Sequence, residues 1–468
     1  MAHVVYVTNG MASSVNCSLE LTRRIARAGH RVTYLSQADL HDVMAANDRT
    51  FDRITSDHGH ASELSALPPP WKSAGRWGLR ALLRWYVARR RLRARSARLQ
   101  SFEARLRELA PDLVILDIEL HAAVITAMSM GLPVVLVMAF FSIFHHPELP
   151  PMHCPLLPGD SRATRAAIRR AWTATHAERV RGEWRSRLSR SGMARYLEPV
   201  RFDTLSIVDL KAVARARGIS VSAETNRNQW LRPVVYMRRP ILSFNIREME
   251  FPHTPAPNLH YVGPMVARDR REAVVDDESL RLWNDWKACR GARTGRTLVY
   301  CSLGSYWSAD AAFLRRVIAA FEREPDWDLV LGLGRQLAAD ALRAVPENVL
   351  PLRWAPQLDV LSRAQCCITH GGITTINECV TYGVPMVVYS THHIDQDGCA
   401  ARVHWHRLGV RANKDADGPD DIRRNIRHVL SDPDIQQRVA EMQQRLHEAE
   451  RADLATLAIE RALAGRLG

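Results

Sequence analysis

Long apolar runs are missing from this chain of 468 residues. No stretch reaches the roughly 18 apolar residues that a membrane-spanning helix needs. The longest, Leu132 to Phe141, reads as a buried strand. The opening MAHVVYVTNG lacks a basic leader, and its apolar run is too short for a secretory signal. Cysteine is scarce, with eight residues and no CxxC pair. Most fall inside strand or helix patterns, which excludes a disulfide framework and a structural zinc site and points to reduced thiols in a cytoplasmic setting. Low-complexity tracts are absent, and so is an acidic cluster of the kind that holds Mg²⁺. Lysine is rare too. The net charge of +14 comes almost entirely from arginine. Such an excess bears on association with anions rather than on fold, and an arginine- and alanine-rich coding bias accounts for it equally.

What is present is a repeated α/β pattern. Val4 to Thr8 reads as a strand, Asn16 to Ala28 as a helix, Gly29 as its C-cap and His30 to Leu35 as the next strand. A second unit runs through Leu113 to Asp117, a helix, Gly131-Leu132-Pro133 and the strand Val134 to Met138. A new strand set starts at Thr297 and continues through LVLGLG, CCITHGG and PMVVYS. Strand runs this apolar are buried on both faces, as in parallel sheets. At this length two domains are expected. The fold class is α/β, two Rossmann-like domains whose sites lie at the C-terminal ends of their strands.

The densest stretch is Trp354 to Gln396, WAPQLDVLSRAQCCITHGGITTINECVTYGVPMVVYSTHHIDQ. A strand ends in His370-Gly371-Gly372, and Thr374 and Thr375 then open a helix that carries Glu378 one turn in. A helix start offers unpaired N–H groups and the positive end of the helix dipole to an anion. The two glycines let that anion approach the backbone closely. Glu378 falls on the same helix face as Thr374.

This string resembles the nucleotide-sugar signature of the UDP-glycosyltransferase superfamily, family 1, with the GT-B fold. WAPQ, HGG, the glutamate, GVPMVV and the final DQ pair fall in the family's order and spacing. The resemblance implies two Rossmann-like domains facing across a cleft. Residues 1–262 would bind the acceptor and 263–450 the nucleotide sugar, with a helix in 451–468 packing back on the first domain. By the same resemblance Trp354 stacks on the base and Gln357 bonds a base edge or the ribose. His370, Gly372, Thr374, Thr375 and Ser305 would hold the diphosphate. Glu378 would take the ribose hydroxyls, and Asp395 with Gln396 the sugar hydroxyls. The implied co-substrate is a UDP-sugar, foremost UDP-glucose, with a TDP-sugar also open. No cofactor and no metal are implied.

The acceptor half departs from the family. Where many members carry a histidine base in the first loop, this chain has Ser14, and Cys17 replaces a proline. Serine alone is no base at neutral pH. Asp117, at the end of LVILD, matches the family's partner carboxylate and could act directly or through Ser14 or a water. His121, His145 and His146 are further candidates on loops expected near the cleft.

The expected activity is inverting, metal-independent transfer of a hexose to a hydrophobic small molecule or lipid, such as a secondary metabolite. Because Ser14 replaces the histidine, a nucleotide-sugar epimerase and a non-catalytic nucleotide-sugar-binding relative remain alternatives. Two basic segments, 71–100 and 162–201, mix arginine with tryptophan at helical spacing. They read either as solvated helix faces over aromatic packing or as peripheral contacts with an anionic membrane. No nucleic-acid motif accompanies the charge.

Overall fold

The computed structural model describes residues 1–54, 99–188, 207–231, 233–272, 275–290, 295–304, 310–334, 337, 342 and 345–467. Two parallel sheets carry the chain. The first contains β1 (His3–Val7), β2 (Arg31–Ser36), β3 (Phe51–Arg53), β4 (Leu113–Asp117) and β5 (Val134–Met138). After a small antiparallel pair, β6 (Thr225–Asn226) and β7 (Val235–Tyr236), it is completed by β8 (Ile241–Ser243) and β9 (Leu259–Tyr261). The second sheet contains β10 (Thr297–Ser302), β11 (Trp327–Gly332), β12 (Val349–Leu352), β13 (Cys366–Thr369), β14 (Met386–Val388) and β15 (Gly409–Arg411). The strand orders are β3-β2-β1-β4-β5-β8-β9 and β12-β11-β10-β13-β14-β15.

The helices that matter for the site connect these strands. They are α1 (Ala12–Arg27), α2 (His121–Ser129), α3 (Arg162–Leu188), α4 (Gln357–Leu361), α5 (Ile373–Thr381), α6 (Gln396–Trp405), α7 (Pro433–Ala452) and α8 (Leu454–Leu463). The helix after β1 begins at Ala12, four residues before the expected Asn16. Gly29 follows it at φ +88°, a left-handed position that glycine takes without a Cβ clash.

Strand periodicity sorts the core. Val4, Tyr6, Leu113, Ile115, Val135 and Val137 point to one face of the first sheet, where they meet α1 and α8. Val5, Val7, Val114, Leu116, Val134 and Leu136 point to the other. This second face belongs to a core continuous with that of the second sheet. The last helix thus returns to the first domain, where Ala455, Ala458 and Ile459 pack with Leu21 and Ile25.

The two domains are also joined by polar contacts. Arg402 Nε donates to Glu250 Oε1 at 2.6 Å, both groups being buried, and the guanidinium lies over the Phe141 and Phe251 rings. Asn377 Nδ2 donates to Asn245 Oδ1 at 3.0 Å. The Gly398 N–H donates to the Met152 carbonyl at 2.8 Å, so closely that a Cβ on Gly398 would stand 2.1 Å from that oxygen.

In each sheet the connections run in opposite directions from a central pair of strands, β1 and β4 in the first, β10 and β13 in the second. Such a reversal leaves a crevice beyond the strands' C-terminal ends, which is where ligands settle in open α/β sheets.

Candidate functional site

Both crevices are occupied by the residues that the sequence singles out. In the first, Asp117 ends β4 and is buried. Asn9, in the loop after β1, donates from Nδ2 to Asp117 Oδ2 at 3.3 Å, and the Glu119 N–H donates to Oδ1 at 3.0 Å. Ser14, in the first turn of α1, also hydrogen-bonds the carboxylate. Burial disfavours the ionised form and outweighs these bonds, pushing the Asp117 pKa up from 3.8 to about 6.

In the second crevice, His370 follows β13 and faces Gly304, which follows β10. A Cβ on Gly304 would stand 2.7 Å from the imidazole, and one on Gly372 would stand 2.7 Å from its Nε2. Gly304 also takes φ +82°. The ring therefore fits only because both neighbours are glycine. Burial lowers the His370 pKa from 6.5 to about 4, a drop that the nearby Ser302 backbone only partly offsets. The imidazole is accordingly neutral at pH 7. Gly372 is the N-cap of α5, and Thr374 and Thr375 lie in its first turn. Ser305 lies outside the described residues.

The two crevices meet. Cys17 on α1 places its Sγ 3.9 Å from Thr374 Oγ1 on α5. The start of α5 in one domain thus stands against the helix that carries Ser14 in the other.

Deeper in the second domain the donor-site candidates already hold protein partners. The Glu378 side chain is 1 % exposed. One oxygen is ion-paired with Arg270 at 2.5 Å, and the other accepts from Gln357 Nε2. Gln357 is itself engaged, its Oε1 accepting from Tyr300 OH at 3.0 Å. Arg270 comes from the crossover between the domains, a stretch that the sequence shows only as charged and polar. Its partner lies 108 residues away, and no local pattern announces such a pair. Trp354, after β12, is half-buried, and its N–H donates to Ser279 Oγ at 3.5 Å.

Asp395 and Gln396 stand at the start of α6. Asp395 is buried, accepts from Cys399 Sγ at 3.4 Å, and has its pKa raised by burial to about 6. Gln396 Oε1 accepts from the Thr391 N–H at 2.9 Å and from its hydroxyl at 2.7 Å. The loop between, with His392 at φ +58° and Ile394 at φ +49°, is held in a conformation that side chains with a Cβ adopt at a cost.

The histidine candidates fare unequally. His121 does not lie on an open loop. It begins α2, is fully buried, and its Nδ1 lies 3.2 Å from Tyr236 OH, because α2 is apolar on all sides and sinks into the core. His145 packs against Trp172 of α3, with ring centroids 4.7 Å apart, and His146 packs edge-on to His253. Burial lowers both pKa values, with a further push from the neighbouring histidine in each case.

Of the basic segments, 71–100 falls almost wholly outside the described residues and 162–201 is described only to residue 188. There α3 exposes Trp184 and Val180 while burying Trp172. Among the described residues no group of three or more His, Cys, Asp or Glu is arranged to hold a metal ion, and no helix is long and apolar enough to cross a membrane. All eight cysteines are unbridged.

The chain is similar to known glycosyltransferases. The NDP-glycosyltransferase YjiC of Bacillus subtilis (strain 168) is 32% identical over 200 residues, which is 43% of this chain and 47% of that protein, so the match spans less than half of that relative's length. The oleandomycin glycosyltransferase of Streptomyces antibioticus is 26% identical over 443 residues, covering 94% of this chain and 86% of the relative. The crystal structure of the glycotransferase of kitacinnamycin superposes with a TM-score of 0.65 at 22% identity, covering 98% of each chain, which establishes a shared GT-B fold. Residues 224–460, half of the sequence and the whole second crevice, match the family described as UDP-glucoronosyl and UDP-glucosyl transferase, and the chain belongs to that family.

Proposed function

We propose that this protein is an inverting glycosyltransferase that moves a hexose from a UDP-sugar, or a TDP-sugar, to a hydroxyl of a hydrophobic small molecule without an added metal. The single observation that carries this reading is the meeting of the crevices at Cys17 and Thr374. It puts a carboxylate of raised pKa and an anion-binding helix start on either side of one small space.

In this reading the acceptor hydroxyl bonds Asp117. As its oxygen attacks the anomeric carbon, its proton passes to the carboxylate, directly or through Ser14. The bond from the anomeric carbon to the diphosphate breaks, and the electron pair leaves with the nucleoside diphosphate. A base whose pKa is about 6 is better matched to neutral pH than an ordinary aspartate near 3.8. Burial would thus supply what the missing first-loop histidine supplies elsewhere. On the donor side the N-terminus of α5, the Thr374 and Thr375 hydroxyls and the neutral His370 meet the negative charge developing on the leaving group. Trp354 offers a face to the base, and Asp395 with Gln396 offers acceptors and donors to the sugar. UDP-glucose is the donor of choice, and the name of the Streptomyces relative supports an antibiotic-like acceptor.

A panel of UDP- and TDP-sugars read by thermal shift tests the donor half, because a ligand that binds only the folded state raises the melting temperature. Release of nucleoside diphosphate should require an acceptor, and the product should have the opposite anomeric configuration. Conversion of the nucleotide sugar without any acceptor would identify an epimerase instead. If no nucleotide sugar shifts the melting temperature, the proposal fails.

A further inference from the structure

Glu378 poses a problem for any ligand meant to reach it. Its carboxylate is 1 % exposed, and both oxygens already accept hydrogen bonds. Something must move before a ribose can be bound there. Gln357 and Tyr300 are poor candidates, because they belong to α4 and β10, which pack into the second domain's core. Arg270 is different. It stands on the crossover between the domains, which is fastened by side chains. Asn47 exchanges two 2.9 Å hydrogen bonds with the Arg271 backbone, and Arg268 pairs with Glu450 at 2.7 Å. The guanidinium itself is 3 % exposed, holding Glu272 through Nε and Nη2 at 2.9 and 2.7 Å and Glu378 through Nη1. Two carboxylates thus share one cation.

Building on the donor-site reading above, we propose that Arg270 is a donor-binding residue held in reserve. In the arrangement described here it caps Glu378. When a nucleoside diphosphate arrives, the ribose diol takes the Glu378 oxygens and the displaced guanidinium turns onto the diphosphate. The exchange balances electrostatically. A buried carboxylate gives up a cation and gains two neutral hydroxyl donors, while a more highly charged anion gains the cation. The distance to be covered is short, since Glu378 lies one helical turn after Thr374, in the turn of α5 next to the anion-binding start. Glu272 stays paired throughout and keeps the guanidinium from leaving the cleft. Arg270 would therefore weaken the binding of a nucleoside, which must displace it without offering it a new partner, and strengthen the binding of a nucleoside diphosphate.

Calorimetric titration of the full chain with uridine and with UDP separates these effects. Arg270→Gln should bind uridine about fivefold to tenfold more tightly than wild type and UDP about tenfold more weakly, the scale of one charge-assisted hydrogen bond gained or lost. Arg270→Lys should recover part of the UDP affinity. Glu272→Gln, which leaves the guanidinium in place with Glu378 as its one carboxylate partner in this cluster, should weaken uridine binding and keep UDP binding. Should Arg270→Gln fail to fold, the lysine and Glu272 variants decide the matter by the same two ratios. Equal weakening of uridine and UDP, the result expected if Arg270 merely fixes Glu378 in place, would overturn the proposal, and so would unchanged affinities. Wild-type protein that binds neither UDP nor TDP would sink the donor-site reading itself, a result distinguishable from failure of the exchange alone.

Discussion

Cys17 Sγ and Thr374 Oγ1 stand 3.9 Å apart, and they belong to different domains. Burial pushes the Cys17 thiol up to about 12, so almost none of it is thiolate at pH 8. Cys289, by contrast, is exposed. In the native protein at pH 8, Cys289 should be alkylated at least about a hundredfold faster than Cys17, because Cys289 is accessible while Cys17 is buried and held protonated. Mass-spectrometric mapping of labelled peptides checks this. Saturating UDP should slow Cys17 further by holding the cleft closed. Equal rates at the two sites would mean that the closed arrangement is not the dominant one.

Asp117 yields two pH dependences of opposite sign. In the proposed mechanism transfer needs its carboxylate, so kcat/KM should fall as pH drops through about 6. Stability runs the other way. The folded pKa is raised above the unfolded value of about 3.8, so the fold holds the proton more tightly than the unfolded chain does. The contribution of this group is therefore full below about 3.8 and is lost as pH rises to about 6. Asp117→Asn should lower kcat/KM by about 10² to 10⁴ and remove the inflection. The same variant should be at least as stable as wild type in a denaturant titration at pH 7.5. Retained turnover in Asp117→Asn would move the base elsewhere, with His146 the next residue to replace.

Gly372→Ala tests whether the imidazole position matters. The added Cβ would stand 2.7 Å from His370 Nε2, so the ring must shift. UDP affinity should drop about tenfold, the cost of one hydrogen bond to a charged group, with circular dichroism unchanged. Because burial holds His370 near 4, its ring contributes stability that is full above the ordinary 6.5 and is lost as pH falls toward about 4. UDP affinity should accordingly show no His370 inflection between pH 6 and 8. An unaltered affinity in Gly372→Ala would remove His370 from the diphosphate site.

The buried pair between Glu250 and Arg402 predicts asymmetric mutational costs. Arg402→Met strands a carboxylate that also accepts from the Ser142 and Phe251 N–H groups, and it should cost about 3–5 kcal/mol in urea unfolding. Pairing it with Glu250→Gln should recover much of that loss, since a neutral amide tolerates burial better than an unpaired charge. Additive costs for the two substitutions would show that the pair is not coupled.

The strands were the easiest part to read from sequence. Leu113–Asp117, Val134–Met138 and Cys366–Thr369 have the bounds that their apolar runs suggest, because a parallel strand buried on both faces has little else to be. The order of Trp, Gln, His, Gly, Thr and Glu along 354–378 was legible for a similar reason, since the anion-binding features lie within one strand, one turn and one helix. What escaped were contacts between distant segments. The crossover around Arg270 is charged and polar in sequence, and nothing local distinguishes a charged residue in water from one buried against Glu378. Nor could composition show that α2 would draw His121 into the core, or that Gly398 leaves space for the Met152 carbonyl of the other domain.

The return of α8 to the first domain bears on how enzymes of this build could be recombined. A chimera cut once, between residues 262 and 263, would replace Ala455, Ala458 and Ile459 along with the second sheet and leave Leu21 and Ile25 facing a foreign helix. It would also part Met152 from Gly398 and Glu250 from Arg402. A graft that is to keep this fold while changing its acceptor must therefore use two crossovers, the second placed between α7 and α8, and carry the contacting loops as a single inherited block.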